Sequence, residues 1–123
     1  MRIFKSRWFH RFARSEEIPD SALREAVARA EKGQIDASLG GEVIKQRIAR
    51  PGRGKSKGYR TIILFRSGAR AFFMYGFSKS QRANLNDDEE QQFKEAAKFV
   101  LPLTEEQLAE LLKRGDFVEV ICE

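Results

Sequence analysis

The sequence contains one cysteine, Cys122, and one histidine, His10. A single thiol excludes an internal disulfide and a thiolate metal cluster within one chain. His10, alone among aromatic and basic neighbours, reads better as a packed or surface residue than as a ligand or catalyst. No run of 18 or more apolar residues is present, so no membrane-spanning helix is expected. The N-terminus interleaves Arg2, Lys5, Arg7 and Arg11 with aromatics where a signal peptide would need an apolar stretch. The expectation is a cytoplasmic protein with no membrane partner, no metal and no cofactor.

Acidic residues are unevenly placed: none lies between Val43 and Ser80. Residues 1–85 carry 19 Lys/Arg against 7 Asp/Glu, and residues 86–123 carry 4 against 11, giving +12 and −7 within a net charge of +5. A basic body suits a polyanionic partner, because Lys and Arg facing phosphates release counterions. The competing reading is that the charge only keeps a small protein in solution.

With 41% hydrophobic residues and ten Phe among 123 residues, the chain can build one modest core. Ile3 and Phe4 followed by Trp8, Phe9 and Phe12 suit a short strand entering an aromatic-faced helix. Asp20 is expected to cap a helix over 21–32 with an apolar stripe of Leu23, Ala26, Val27 and Ala30, stopped by Gly33. Asp36 to Gly41 reads as a turn region. From Val43 the period becomes two, with Ile44 and Ile48 on one face and Val43, Lys45 and Arg47 on the other. Tyr59 to Phe65 and Arg70 to Phe77 are further strands joined through Ser67-Gly68, giving an antiparallel meander of three. Asp87 to Glu90 open a helix that Pro102 ends, and Thr104 with Gln107 forms a capping box for another, closed by Gly115. Phe117 to Ile121 is either a short strand or an unpaired tail. The fold class is therefore α+β, with N-terminal helices packed on a small antiparallel sheet and further helices at the C-terminus. Residues 1–123 form one domain, with a core at about 3–100 and an acidic helical extension over 103–123.

Four cations fall within Arg50-Pro51-Gly52-Arg53-Gly54-Lys55-Ser56-Lys57-Gly58. Such a loop either contacts phosphates or is simply solvated. Its Gly54-Lys55-Ser56 hints at a nucleotide-binding loop, but a strand follows where that motif needs a helix N-terminus. Strand parity is more informative. Lys45 and Arg47 share a face of one strand, Arg60 and Arg66 a face of the next, and Arg70 shares parity with Phe72 and Met74 on the third. If those faces adjoin, they make a cationic patch rather than an ordinary mixed sheet surface. Crowded cations can stabilise the charge that develops when RNA is cleaved by its own 2′-hydroxyl. Tyr59 and Tyr75 can stack on bases or donate a proton, or can be ordinary sheet residues.

Ile44-Lys45-Gln46-Arg47-Ile48, Gly58-Tyr59-Arg60-Thr61-Ile62-Ile63 and Phe72 to Lys79 together resemble the RelE/HigB superfamily of type II toxin-antitoxin toxins. The pattern comprises Gly40-Gly41, Ala49 to Gly52, Gly58 to Thr61 and Tyr75 to Lys79, over about residues 3–115. The resemblance implies two N-terminal helices on an antiparallel sheet, metal-independent mRNA cleavage on the ribosome, and neutralisation by a small, often DNA-binding antitoxin. It assigns catalytic positions to Lys45, Arg47, Arg60 and Arg82. Arg50, Arg53, Lys55, Lys57, Arg66, Arg70, Tyr75 and Lys79 are read as RNA-binding. The chain departs from the best-known members in having Ser80 where arginine is frequent, and Asn84, Leu85 and Asn86 with no later tyrosine. ParE-type relatives share the fold and inhibit gyrase by binding, so a non-enzymatic inhibitor or an RNA- or protein-binding module is the alternative.

Overall fold

In the computed structural model of the chain, residues 1–50 and 54–121 are described, the side chains of 54–57 excepted. Arg53 and Cys122 therefore lie outside the described residues. The order is β1 (Arg2–Ser6), α1 (Arg7–Ser15), α2 (Asp20–Glu31), β2 (Ala37–Gly40), β3 (Val43–Arg50), β4 (Gly54–Arg66), β5 (Arg70–Ser78), α3 (Asp87–Val100), α4 (Glu105–Arg114) and β6 (Phe117–Glu119). Among the described residues these strands make one sheet, in the order β2-β3-β4-β5-β1-β6. The expected meander is its centre. β1 runs parallel to β5, through Phe4↔Phe72, and the C-terminal segment is a strand rather than a tail, antiparallel to β1 through Phe4↔Glu119.

Helices cover both faces. α1 and α2 pack Phe9, Ala13, Leu23 and Val27 against Ile44, Ile48, Ile63 and Phe73. On the opposite face Ala97, Leu101 and Leu108, from α3, its C-cap and α4, meet Val43, Ile62, Leu64, Phe72 and Phe117. The C-terminal helices thus complete the core; Leu108 is fully buried. The strands between them alternate little in polarity, because a strand buried on both faces has no solvent side.

Three local expectations are corrected. Asp20 is the first residue of α2 and not its cap. Pro19 occupies that position in extended backbone with no side-chain bond, and the Asp20 carboxylate instead accepts a hydrogen bond from buried Lys5 at 3.1 Å. Ala37–Gly40, expected within a turn, is an edge strand antiparallel to β3, with positive φ at Gly40, Gly41 and Glu42 making the reversal. Residues 54–58, expected in the basic loop, extend β4 backwards, so that Gly54 pairs with Arg50. The helix stops behave as read: Thr104 and Gln107 form a reciprocal capping box, and Gly115 has φ 80°.

Two glycines of the resemblance motif answer to packing. A Cβ on Gly76 would lie 2.6 Å from the Phe12 ring. One on Gly58 would lie 1.9 Å from the backbone oxygen of Ile48, an atom that cannot swing aside. Gly58→Ala is accordingly expected to destabilise the protein by about 3 kcal/mol or more. Gly68→Ala, at a turn with φ 73° and open space around it, should cost about 1–2 kcal/mol. Denaturant midpoints of the two variants in that order check the strand register on which the site depends; equal midpoints would contradict it.

Candidate functional site

The registers of β3, β4 and β5 set two neighbouring cross-strand rows on the face shared with α3 and α4. One row is Lys45–Ile62–Tyr75 and the next is Arg47–Arg60–Phe77. Residues opposite each other in such rows have Cβ atoms about 5 Å apart. Burial falls along β3 from Val43 through half-buried Lys45 to exposed Arg47, so the cations stand where the helical cover ends. Tyr75 reaches this face through a register shift. Ile62 pairs with Tyr75 and Ile63 with Phe73, leaving Met74 as the extra residue of a β-bulge. Simple alternation from Arg70 would put Tyr75 on the other side.

Each cation but one has a partner. Arg47 donates through Nη2 to Asp36 Oδ1 at 3.3 Å and through its backbone amide to Oδ2 at 2.6 Å, with Arg29 Nη1 3.7 Å from the same carboxylate. Burial alone would raise the Asp36 carboxyl, but the Arg47 and Arg29 contacts outweigh it and hold it below its ordinary value. Lys45 Nζ donates to Asn84 Oδ1 at 3.1 Å. Arg82 donates to both oxygens of Glu89, to the Tyr75 hydroxyl at 3.3 Å and to the Asn84 carbonyl at 3.1 Å, with its guanidinium 5.6 Å from the Phe77 ring centre. The Arg82 fork, with the Asn86 amide, lowers the Glu89 carboxyl to about 2.

Arg60 differs. Its guanidinium has no hydrogen bond or ion pair among the described residues, and its Nη1 atom is buried without a partner. The contrast with a second arginine pair on β4 is instructive. Arg66 faces Arg70 across the strands just as Arg60 faces Arg47, and like charges so placed repel. Glu42 takes Arg66 at 2.7 Å and Glu105 takes Arg70 at 2.8 Å. At the other end Asp36 takes Arg47, and Arg60 is left uncompensated. Asp36, Ala37, Lys45, Arg47 and Arg60 line one surface hollow.

The remaining candidates are dispersed. Arg66 and Arg70 share the face but lie six residues further along β4 or across from that point, roughly 20 Å from Arg60. Arg70 also donates to the Leu103 carbonyl at 2.5 Å, tying β5 to the start of α4. Arg50 stands over the Tyr59 ring at 5.6 Å; Tyr59 is buried in the α1/α2 core, on the opposite side of the sheet. Lys79 is exposed just beyond β5. Lys55 and Lys57 belong to β4 by their backbone, with side chains outside the description. His10 lies on α1, its pKa lowered by burial and by Lys5 and Arg14, away from these rows.

Sequence reading missed three contributors. Asp36 and Glu89 enter from outside the acid-free stretch, and Asn84, seen only as a departure from the family pattern, bridges Lys45 and the Arg82 loop. Glu89 had a local signal: Asn86 three residues before it makes a capping box, and both bonds of that box are present.

Among the described residues no group of His, Cys, Asp and Glu could hold a metal ion, and no helix is long and apolar enough to cross a membrane. No curated protein matches the chain. The family model described as the RelE toxin of the RelE/RelB toxin-antitoxin system matches residues 1–120. That match spans nearly the whole sequence, from β1 through β6, and takes in both rows of the cationic face. The chain belongs to the RelE toxin family and is the toxin of a toxin-antitoxin system, a family that implies an antitoxin partner.

Proposed function

We propose that this toxin cleaves mRNA on the ribosome without a metal ion, using the end of the sheet where Arg60 stands. The observation that carries the reading is the half-buried Arg60 guanidinium, unpaired among the described residues and facing Arg47 across the strands. Leaving a buried guanidinium N–H unsatisfied beside a like charge costs stability, on the order of 1–3 kcal/mol. An anion with two or more acceptor oxygens relieves that cost, and a phosphodiester is such an anion.

The chemistry follows from the rows. The 2′-hydroxyl gives its proton to solvent water as its oxygen attacks phosphorus, the bond from phosphorus to the 5′-oxygen breaks, and a 2′,3′-cyclic phosphate and a 5′-hydroxyl result. Arg60 and Arg47 meet the extra negative charge on the phosphorane oxygens, and Lys45 adds a third cation in the adjoining row. The Tyr75 hydroxyl, which accepts a hydrogen bond from Arg82, protonates the leaving 5′-oxygen. Tyr75 thereby serves where the best-known relatives use a tyrosine further along the chain. Arg82 orients Tyr75 and is itself held by Glu89. Ribosome dependence, and a DNA-binding antitoxin encoded beside the toxin, come into this reading from the family resemblance.

Expression without antitoxin, with primer extension on a translated reporter message, tests the reading. Cuts within translated codons are expected for the wild type. Arg60→Ala should abolish them, by 100-fold or more at about 2.7 kcal/mol or more of lost phosphorane stabilisation, while folding remains intact by circular dichroism. Growth arrest with uncut mRNA would overturn the nuclease and favour the gyrase-directed or binding alternative.

Tyr75→Phe separates the proton donor from the ring. It keeps the stacking with Trp8 and Phe77 and removes the hydroxyl, so cleavage should fall by about 10²–10⁴-fold with little change in thermal midpoint. Unchanged cleavage would remove Tyr75 from the mechanism and leave Arg60 in place.

A further inference from the structure

Beyond the phosphate-binding rows, an aromatic strip runs round the side of β5. β1 pairs with β5 only at Arg70 to Phe73, so from Met74 onward that edge has no strand beside it. The chain turns there instead: the Ser6 hydroxyl donates to the Met74 carbonyl at 3.0 Å and accepts from the Phe9 amide, starting α1. The first turn of α1 then lays Trp8 against the strand edge. The Trp8 ring centre is 4.6 Å from that of Tyr75 and 5.2 Å from that of Phe12, and Phe12 meets Tyr59 edge-on at 5.5 Å. A stack therefore connects the cationic face to the α1 side of the sheet.

Trp8 is nevertheless 45% exposed. With Phe12 it lines a hollow completed by Arg11 and Ser15, the four residues occupying i, i+3, i+4 and i+7 on one stripe of α1. Arg11 is exposed and has no ion-pair partner among the described residues, whereas Arg7 on the same helix is committed to Asp116 at 3.0 Å. The helix contains no acidic residue. An open indole beside a free guanidinium, continuous with a phosphate site through Tyr75, has the composition of a base-stacking platform with its own phosphate contact. The continuity and the charge favour RNA over an apolar protein segment.

We infer that Trp8, with Phe12 and Arg11, forms a subsite that stacks one unpaired RNA base next to the scissile phosphate held at Arg60. The inference deepens the nuclease reading and rests on it for the identity of the neighbouring phosphate. Stacking tolerates any base, so the subsite holds the strand in place without reading its sequence.

Trp8 is the only tryptophan of the chain, which makes its fluorescence a direct reporter. Titration of the wild-type protein with a single-stranded hexaribonucleotide at low salt is expected to quench that emission saturably. Trp8→Ala should lower both affinity for the oligonucleotide and mRNA cleavage in a translating extract by about 5- to 150-fold. Trp8→Phe, which keeps a ring in the stack and protects the fold should the alanine variant be unstable, should recover most of the cleavage. Full cleavage by Trp8→Ala, or no quenching while anisotropy shows the oligonucleotide bound, overturns the subsite and leaves the nuclease standing. If the wild type does not cleave at all, the nuclease reading has failed, and the titration alone decides the subsite: saturable quenching supports it and its absence overturns it. Loss of antitoxin binding by Trp8→Ala with cleavage unchanged assigns the surface to a protein partner and overturns the proposal.

Discussion

Every feature of the site depends on β4 being buried from both sides. From Tyr59 to Phe65 each of its residues is buried except Arg60. A central antiparallel strand with helices on both faces has no solvent side on which to place a charge. A cation can stand on it only where cover thins, and in the row of Arg47 and Arg60 burial has fallen to an exposed Arg47 and a half-buried Arg60. The position of Arg60 is thus set by strand parity and by the extent of the helical layer together.

Charge is treated differently at the two ends of β4. Glu42 and Glu105 neutralise the Arg66–Arg70 pair, and Arg70 additionally secures the α3–α4 connection through the Leu103 carbonyl. At the other end Asp36 takes Arg47, with Arg29 beside it, and makes no ion pair with Arg60. Glu89 meanwhile occupies the Arg82 fork, so Arg82 is already engaged in the absence of any ligand. An anion brought to Arg82 would compete with that carboxylate, whereas Arg60 has no such partner among the described residues. The cations that looked equivalent along the sequence differ in availability.

Much of this was legible in residues 43–79, because a period of two fixes facing wherever strands run regularly. Lys45, Arg47 and Arg60 fall on one face as parity requires. The capping box at Thr104 and the Gly115 stop were legible for a related reason, as their bonds close within a few residues. Tyr75 was named from the sequence but its facing was not legible: a bulge depends on how two strands pair, and the single extra residue at Met74 reverses the facing of everything after it. Asp36, Asn84 and Glu89 were hidden because tertiary packing brings them to the site. Asp20 misled through local propensity, its side chain being taken by Lys5, whose buried ammonium needs a counter-charge more than the helix end needs a cap. The parallel β1 was invisible for want of any local signal for its partner.

The placement of β1 bears on when the protein can become itself. Its neighbours in the sheet are β5, which begins at Arg70, and β6, which begins at Phe117. β1 therefore waits for strands made well after it, and the face that carries Phe4 and Phe72 lacks Phe117 until β6 has been made. Pairings of such long sequence separation form late and slowly. Until β5 and β6 are both made β1 lacks a neighbour, so closing the sheet around Phe4 is a late step, whereas the cationic rows need only β3, β4 and β5.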